Sequence, residues 1–114
     1  MLELTLPWPP KALSPNARTH WAVLAKAKKA YRASCAYVAK QQGAGRIDAE
    51  RLKVHIIFVP PSNRRRDWDN MIASMKSGFD GLVDVLGVDD SLWVVSHEII
   101  PEIGGFVRVR VEHG

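Results

Sequence analysis

Leu2, Leu4 and Leu6 alternate with Glu3 and Thr5, the two-residue period of a strand with one buried face. Pro7 ends that run, and the proline-rich stretch from Trp8 to Asn16 reads as a loop. Trp21, Leu24, Ala27, Tyr31, Cys35 and Val38 then recur at helical spacing, with Lys28 interrupting the edge of the stripe. Asn16 or Thr19 is positioned to cap this helix, and Gln41-Gln42-Gly43 to close it. Leu52, Val54, Ile56 and Phe58 alternate with Lys53, His55, Ile57 and Val59, and both faces become apolar toward the end. That pattern predicts an interior strand. Met71, Ile72, Met75, Phe79, Leu82, Val83 and Leu86 lie on one helical face, which predicts a helix from about 70 to 86 stopped by Gly87. Asp69 stands where its N-cap would be. Residues 92 to 100 read as a strand ending before Pro101, and Gly104-Gly105 as a hairpin turn. In the last strand Val107, Val109 and Val111 point inward and Arg108 and Arg110 outward. The order β-α-β-α-β-β predicts an α+β fold, a four-stranded mixed sheet with two helices packed on one face.

Composition narrows the class. The 114 residues, 46% hydrophobic and 25% charged, suit one globular domain over 1–114. A single cysteine, Cys35, makes no internal disulfide and no metal-ligand spacing, and its place in the apolar stripe marks it as core. Pro7, Pro9 and Pro10 interrupt any early apolar run, so the expectation is a cytoplasmic protein without a membrane segment. A net charge of +4 and a pI near 9.5 favour a polyanionic partner.

The chemistry concentrates between Arg64 and Asp90. Arg64, Arg65 and Arg66 stand directly before Asp67 and Asp69, and a second acidic pair, Asp89 and Asp90, follows the helix. If 67–69 is extended, Asp67 and Asp69 share a side and Trp68 faces away as an anchor. Such carboxylates suit a hard divalent cation, and Mg²⁺ takes one or two of them while keeping waters and phosphate oxygens. The alternative roles are structural: Asp69 as a cap, Asp89 and Asp90 as turn residues, the arginines as a solvated run. Convergence of the two acidic pairs requires the strand after Asp90 to run back beside the first pair. Lys26, Lys29 and Arg32 on the first helix have no acidic neighbours one turn away, which points them toward phosphates. His55, alone on its strand, is a ligand or base candidate whose usual role is structural.

The segments Arg65-Arg66-Asp67-Trp68-Asp69-Asn70, Lys76-Ser77-Gly78-Phe79-Asp80-Gly81-Leu82 and Val88-Asp89-Asp90, with Leu6-Pro7-Trp8-Pro9-Pro10, resemble the RusA family of Holliday junction resolvases. The resemblance runs nearly the whole chain. It implies a small homodimeric, Mg²⁺-dependent endonuclease of DNA recombination and repair, with Mn²⁺ as an alternative metal, that makes symmetric cuts in four-way junctions. It also implies that Asp67, Asp69 and Asp90 hold the metal and that a lysine on the helix serves the reaction. The family's spacing puts that lysine at Ala73, whereas the nearest lysine here is Lys76, three residues on. Lys76 either stabilises charge at the phosphate or pairs with Asp80 one turn away. Arg64, Arg65 and Arg66, with Lys26, Lys29 and Arg32, would hold the DNA backbone. Two other functions fit the same residues: a branched-DNA-binding protein that does not cut, and a metal-dependent nuclease of other branched DNA.

Overall fold

The computed structural model describes all 114 residues. Four strands form one mixed sheet: β1 (Leu2–Pro7), β2 (Leu52–Val59), β3 (Trp93–Ile99) and β4 (Phe106–His113), in the order β1-β4-β2-β3. β2 runs parallel to β3 and antiparallel to β4, which is antiparallel to β1. The interior position of β2 explains its apolar character on both faces: Ile56 and Phe58 are buried toward the helices, Ile57 and Val59 away from them.

Three α-helices, α1 (Trp21–Gln41), α2 (Trp68–Ser74) and α3 (Lys76–Leu86), cover one face. Tyr31, Cys35 and Ala39 of α1 meet Met71, Met75, Phe79, Leu82 and Leu86 over Leu4, Leu6, Val54, Ile56, Val107 and Val109 in a single core. The α+β class and the four-stranded mixed sheet are as the sequence predicts. The helix count is not: the expected helix over 70–86 is two. Ser74 Oγ donates to the Asn70 carbonyl at 2.8 Å, an i−4 side-chain bond that bends helices. Buried Met75 follows with φ −87° and ψ −7°, the single residue between α2 and α3. Gly87 ends α3 as expected, at φ +76°. α1 and α3 pack closely at Gly81, where any side chain would collide, because an added Cβ lies 2.3 Å from the Arg32 carbonyl oxygen.

Local caps differ from the simplest reading. Neither Asn16 nor Thr19 caps α1; His20 does, its Nδ1 accepting from Ala22 N at 3.2 Å. At the other end Gln42 reaches the edge strand β1, accepting from Thr5 N at 2.7 Å and donating to Thr5 O at 2.8 Å. This satisfies backbone groups that an edge would leave open.

Gly104-Gly105 is not a hairpin turn, because β2 lies between β3 and β4. Its amides instead bond to Pro60 O and Val59 O, each at 2.8 Å, so the crossing segment supports the start of the loop that leads to Asp67. β3 is the outer edge on its side, and only Trp93 of its residues is buried. No helix is long and apolar enough to cross a membrane.

Candidate functional site

The loop from Pro60 to Asp67 leaves the end of β2 and enters α2. Its shape depends on Arg66. That guanidinium donates to Ser62 O at 3.0 Å, Arg64 O at 2.9 Å and Ser62 Oγ at 3.0 Å, and lies over the Trp8 ring at 5.6 Å. Partial burial, and then the neighbouring charge of Arg64, lower its pKa. Arg66 is therefore a clamp of the loop, with most of its donors already used. Arg64 and Arg65 are exposed and make no side-chain hydrogen bond or ion pair to the protein. They line a cleft of about 760 Å³ together with Asp67, Lys11 and Asn16.

Asp67, not Asp69, is the N-cap residue of α2, and its carboxylate makes no capping hydrogen bond. The helix begins at Trp68, so Asp67 and Asp69 are not carried on one side of an extended segment. Asp69 sits exposed in the first turn, with Oδ1 accepting from Asn70 N at 2.9 Å. Trp68 is no buried anchor: it is 55% exposed and stacks on His97 of β3.

The second acidic pair divides its work. Asp89 caps a short 3₁₀ turn, Asp90–Leu92, by accepting from Ser91 N at 3.0 Å, and hydrogen bonding from the Ser91 side chain and then from its backbone lowers the Asp89 pKa. Asp90 accepts from Lys76 Nζ at 2.5 Å, and the same ammonium donates to Asp80 at 3.2 Å. The Asp90 hydrogen bond is the main cause of a raised Lys76 pKa, so Lys76 is firmly cationic. The lysine three residues beyond the family spacing thus reaches a predicted site carboxylate as well as the partner one turn away.

The two halves of the site are carried by different elements, Asp67 and Asp69 at the start of α2 and Asp90 beside Lys76 at the start of α3. Asp69 and Lys76 are seven residues apart along the α2–α3 axis, roughly 10 Å at 1.5 Å per residue. β3 runs alongside these helices, with Trp93 packed on Phe79 and His97 on Trp68. No three His, Cys, Asp or Glu side chains come together as a metal site. Asp67, Asp69 and Asp90 are therefore not a closed three-carboxylate cage. The donor set fits an open Mg²⁺ site, in which one or two carboxylates act with water and phosphate oxygens.

A second cleft, about 880 Å³, runs between α1 and α2–α3 and is lined by Lys28, Lys29, Arg32, Lys76 and Asp80. It shares Ser14, Ala17 and Ser74 with the first. Lys29 lies in it, and so does Lys28, whose break in the apolar stripe was the available sequence signal. Lys26 is exposed outside the residues that line it. Arg32 is engaged: its guanidinium forms a two-point pair with Asp84 at 2.7 and 2.8 Å, which raises its pKa and lowers that of Asp84. The absence of acidic neighbours on α1 concealed this partner, which α3 supplies.

His55 is turned to the sheet face opposite the helices, with Nδ1 2.6 Å from Ser96 Oγ and Nε2 3.7 Å from Glu98. Burial pushes the Cys35 thiol up to about 11, which disfavours the thiolate and agrees with its place in the core.

Residues 7–112 match the family of endodeoxyribonuclease RusA. A protein of Xylella fastidiosa strain Temecula1, described only as an uncharacterized protein, is 43% identical over 105 residues, which are 90% of this chain and 68% of that protein.

Proposed function

Because the chain belongs to the RusA family of endodeoxyribonucleases, we propose that it is a Mg²⁺-dependent, structure-selective nuclease that resolves Holliday junctions by symmetric cuts in DNA recombination and repair. The observation that supports this most is the cleft lined jointly by Asp67 and the unpaired guanidinium groups of Arg64 and Arg65. A carboxylate beside free cations suits a phosphodiester and a divalent ion together.

Asp67 and Asp69 would hold Mg²⁺, or Mn²⁺ in its place, with Asp90 as the third acidic group of the site. When bound, the ion favours the hydroxide form of its water and neutralises charge on the phosphate. Arg64 and Arg65 grip the backbone on the acidic side, and Lys28 and Lys29 do so in the second cleft. Lys76, oriented by Asp90, supplies positive charge to the phosphate or leaving oxygen. A non-cleaving junction binder is the second reading, favoured because no three potential ligand side chains gather as a ready metal site.

Cleavage assays on a four-way junction, a flap and a plain duplex, with and without Mg²⁺, separate these readings. The expected result is metal-dependent cutting, greatest on the four-way junction. Failure to cut any of the three would overturn the nuclease assignment, and equal cutting of all three would remove its structure selectivity. Junction affinity without metal should fall with salt at a log-log slope of about −0.9 per phosphate contact, and Arg64→Ala or Arg65→Ala should flatten it by about one contact. Arg66→Ala should act chiefly by loosening the loop.

A four-way junction presents two symmetric strands, so a two-fold dimer with one site per subunit suits it. The open edge of β3, with Val94 and Val95 exposed, is a surface available to a second copy. Light scattering should then give twice the chain mass of 12.7 kDa; a value equal to one chain would exclude the dimer.

A further inference from the structure

Trp68 is a large apolar side chain that the fold does not bury. Its indole is 55% exposed in the middle of the acidic motif, and the core closes without it. Yet the ring is held in place: His97 lies against it with centroids 4.7 Å apart and planes 20° from parallel. His97 projects from β3, a hydrogen-bonded strand, so the imidazole occupies one region of the indole and fixes its tilt.

An oriented, solvent-facing indole three residues along the chain from the unpaired Arg65 has the chemistry of a nucleobase platform, in which stacking is combined with backbone charge. We propose that Trp68, braced by His97, stacks on an unpaired nucleobase of the DNA that enters this site. The proposal rests on the reading of the chain as a DNA-cutting protein and extends it to a substrate feature. A base inside a duplex has both faces covered by its neighbours, so the platform selects DNA with an unstacked base, as at a branch point or in a single strand. Because every base has a π face, selection is by exposure and not by sequence. Trp68 is flanked by Asp67 and Asp69, so a base held there brings its own strand to the acidic side of the site. His97 is a positioning residue, acting only through the indole.

The test uses the full chain without metal, so that nothing is cut, and follows 2-aminopurine fluorescence. The fluorophore is placed at the branch point of a four-way junction, within an arm, or in a single-stranded oligonucleotide. The parent should change the signal at the branch point and in the single strand but not in the arm. Trp68→Leu should abolish that change and weaken single-strand binding about tenfold or more, whereas Trp68→Phe should keep most of both. His97→Ala should weaken binding in the same direction, with recovery in His97→Phe.

Identical signals at branch point and arm in the parent would overturn the proposal without any variant. So would Trp68→Leu binding as the parent does, the result expected if the stack merely ties α2 to β3; a lower melting temperature would accompany it. A parent that cuts junctions beside a Trp68→Leu variant of unchanged affinity removes the platform alone. A parent that stacks the base and never cuts supports the platform and overturns the nuclease reading.

Discussion

Asp69→Asn should lower Mg²⁺-dependent cleavage by at least about a hundredfold while leaving junction affinity measured without metal close to that of the parent. The magnitude is that of removing one charge-stabilising group from a reacting centre. The substitution is conservative in every other respect. Asp69 is exposed in the first turn of α2, and an asparagine oxygen can accept the same hydrogen bond from Asn70 N. What it loses is a negative charge near a helix N-terminus, worth about 0.3–1 kcal/mol, so the melting temperature should fall by no more than a few degrees. Asp67→Asn should act on cleavage in the same way, because its carboxylate makes no capping hydrogen bond whose loss would unfold the helix. Single-turnover rates beside a thermal melt decide the matter. Cleavage at the parent's rate with Asn at 69 would sink the metal role and leave Asp69 a first-turn residue of α2.

Lys76→Ala should reduce the single-turnover rate by about a hundredfold to a thousandfold with little change in junction Kd, because its charge acts where charge develops in the transition state. Lys76 is exposed and both its pairs are solvent-accessible, a setting in which ion pairs stabilise a fold by only about 0–1 kcal/mol. A large rate loss with a small melting shift would therefore separate a reacting role from a structural one. Two further substitutions apportion the ammonium's contacts. Asp80→Asn removes the negative charge one helical turn away and should leave most of the activity, whereas Asp90→Asn removes the charge at the shorter contact and should cost as much as losing Lys76. Should Asp80→Asn prove as damaging as Lys76→Ala, Asp80 and not Asp90 would be the group that orients the lysine. Full activity in Lys76→Ala would take this residue out of the mechanism.

Much of this arrangement was legible along the chain. The alternation at 2–6, 52–59 and 106–112 marked three strands correctly because a sheet with one covered face imposes its period on the residues. The helical stripes marked Tyr31, Cys35, Phe79 and Leu82 as core for the same reason. Gly87 was recognisable as a stop, since a left-handed helix end favours glycine. The acidic motif with its preceding arginines, and the family that it indicates, were also readable in the chain itself.

Other features depended on partners that local sequence does not name. The break at Met75 follows from a serine bond to the backbone that leaves the apolar period intact, so the stripe reads as one helix. Gly104-Gly105 has hairpin composition, but β2 occupies the place between β3 and β4, a choice that lies in strand pairing. Arg32 is 52 residues from Asp84, and Lys76 is 14 from Asp90; these charges met only when α1, α3 and the turn before β3 were packed together. Trp68 was expected to be an anchor because an extended 67–69 segment would turn it away from Asp67 and Asp69, and the helix that begins at it leaves it exposed instead. By itself the sequence determined the periods, the core residues, the family and the types of group available for chemistry, all properties of a residue and its near neighbours. The tertiary structure alone decided which charges are paired, that Asp90 meets Lys76, and that an indole is left facing solvent. Those outcomes are set by the relative placement of whole elements, on which hydrophobic period and local spacing place almost no constraint.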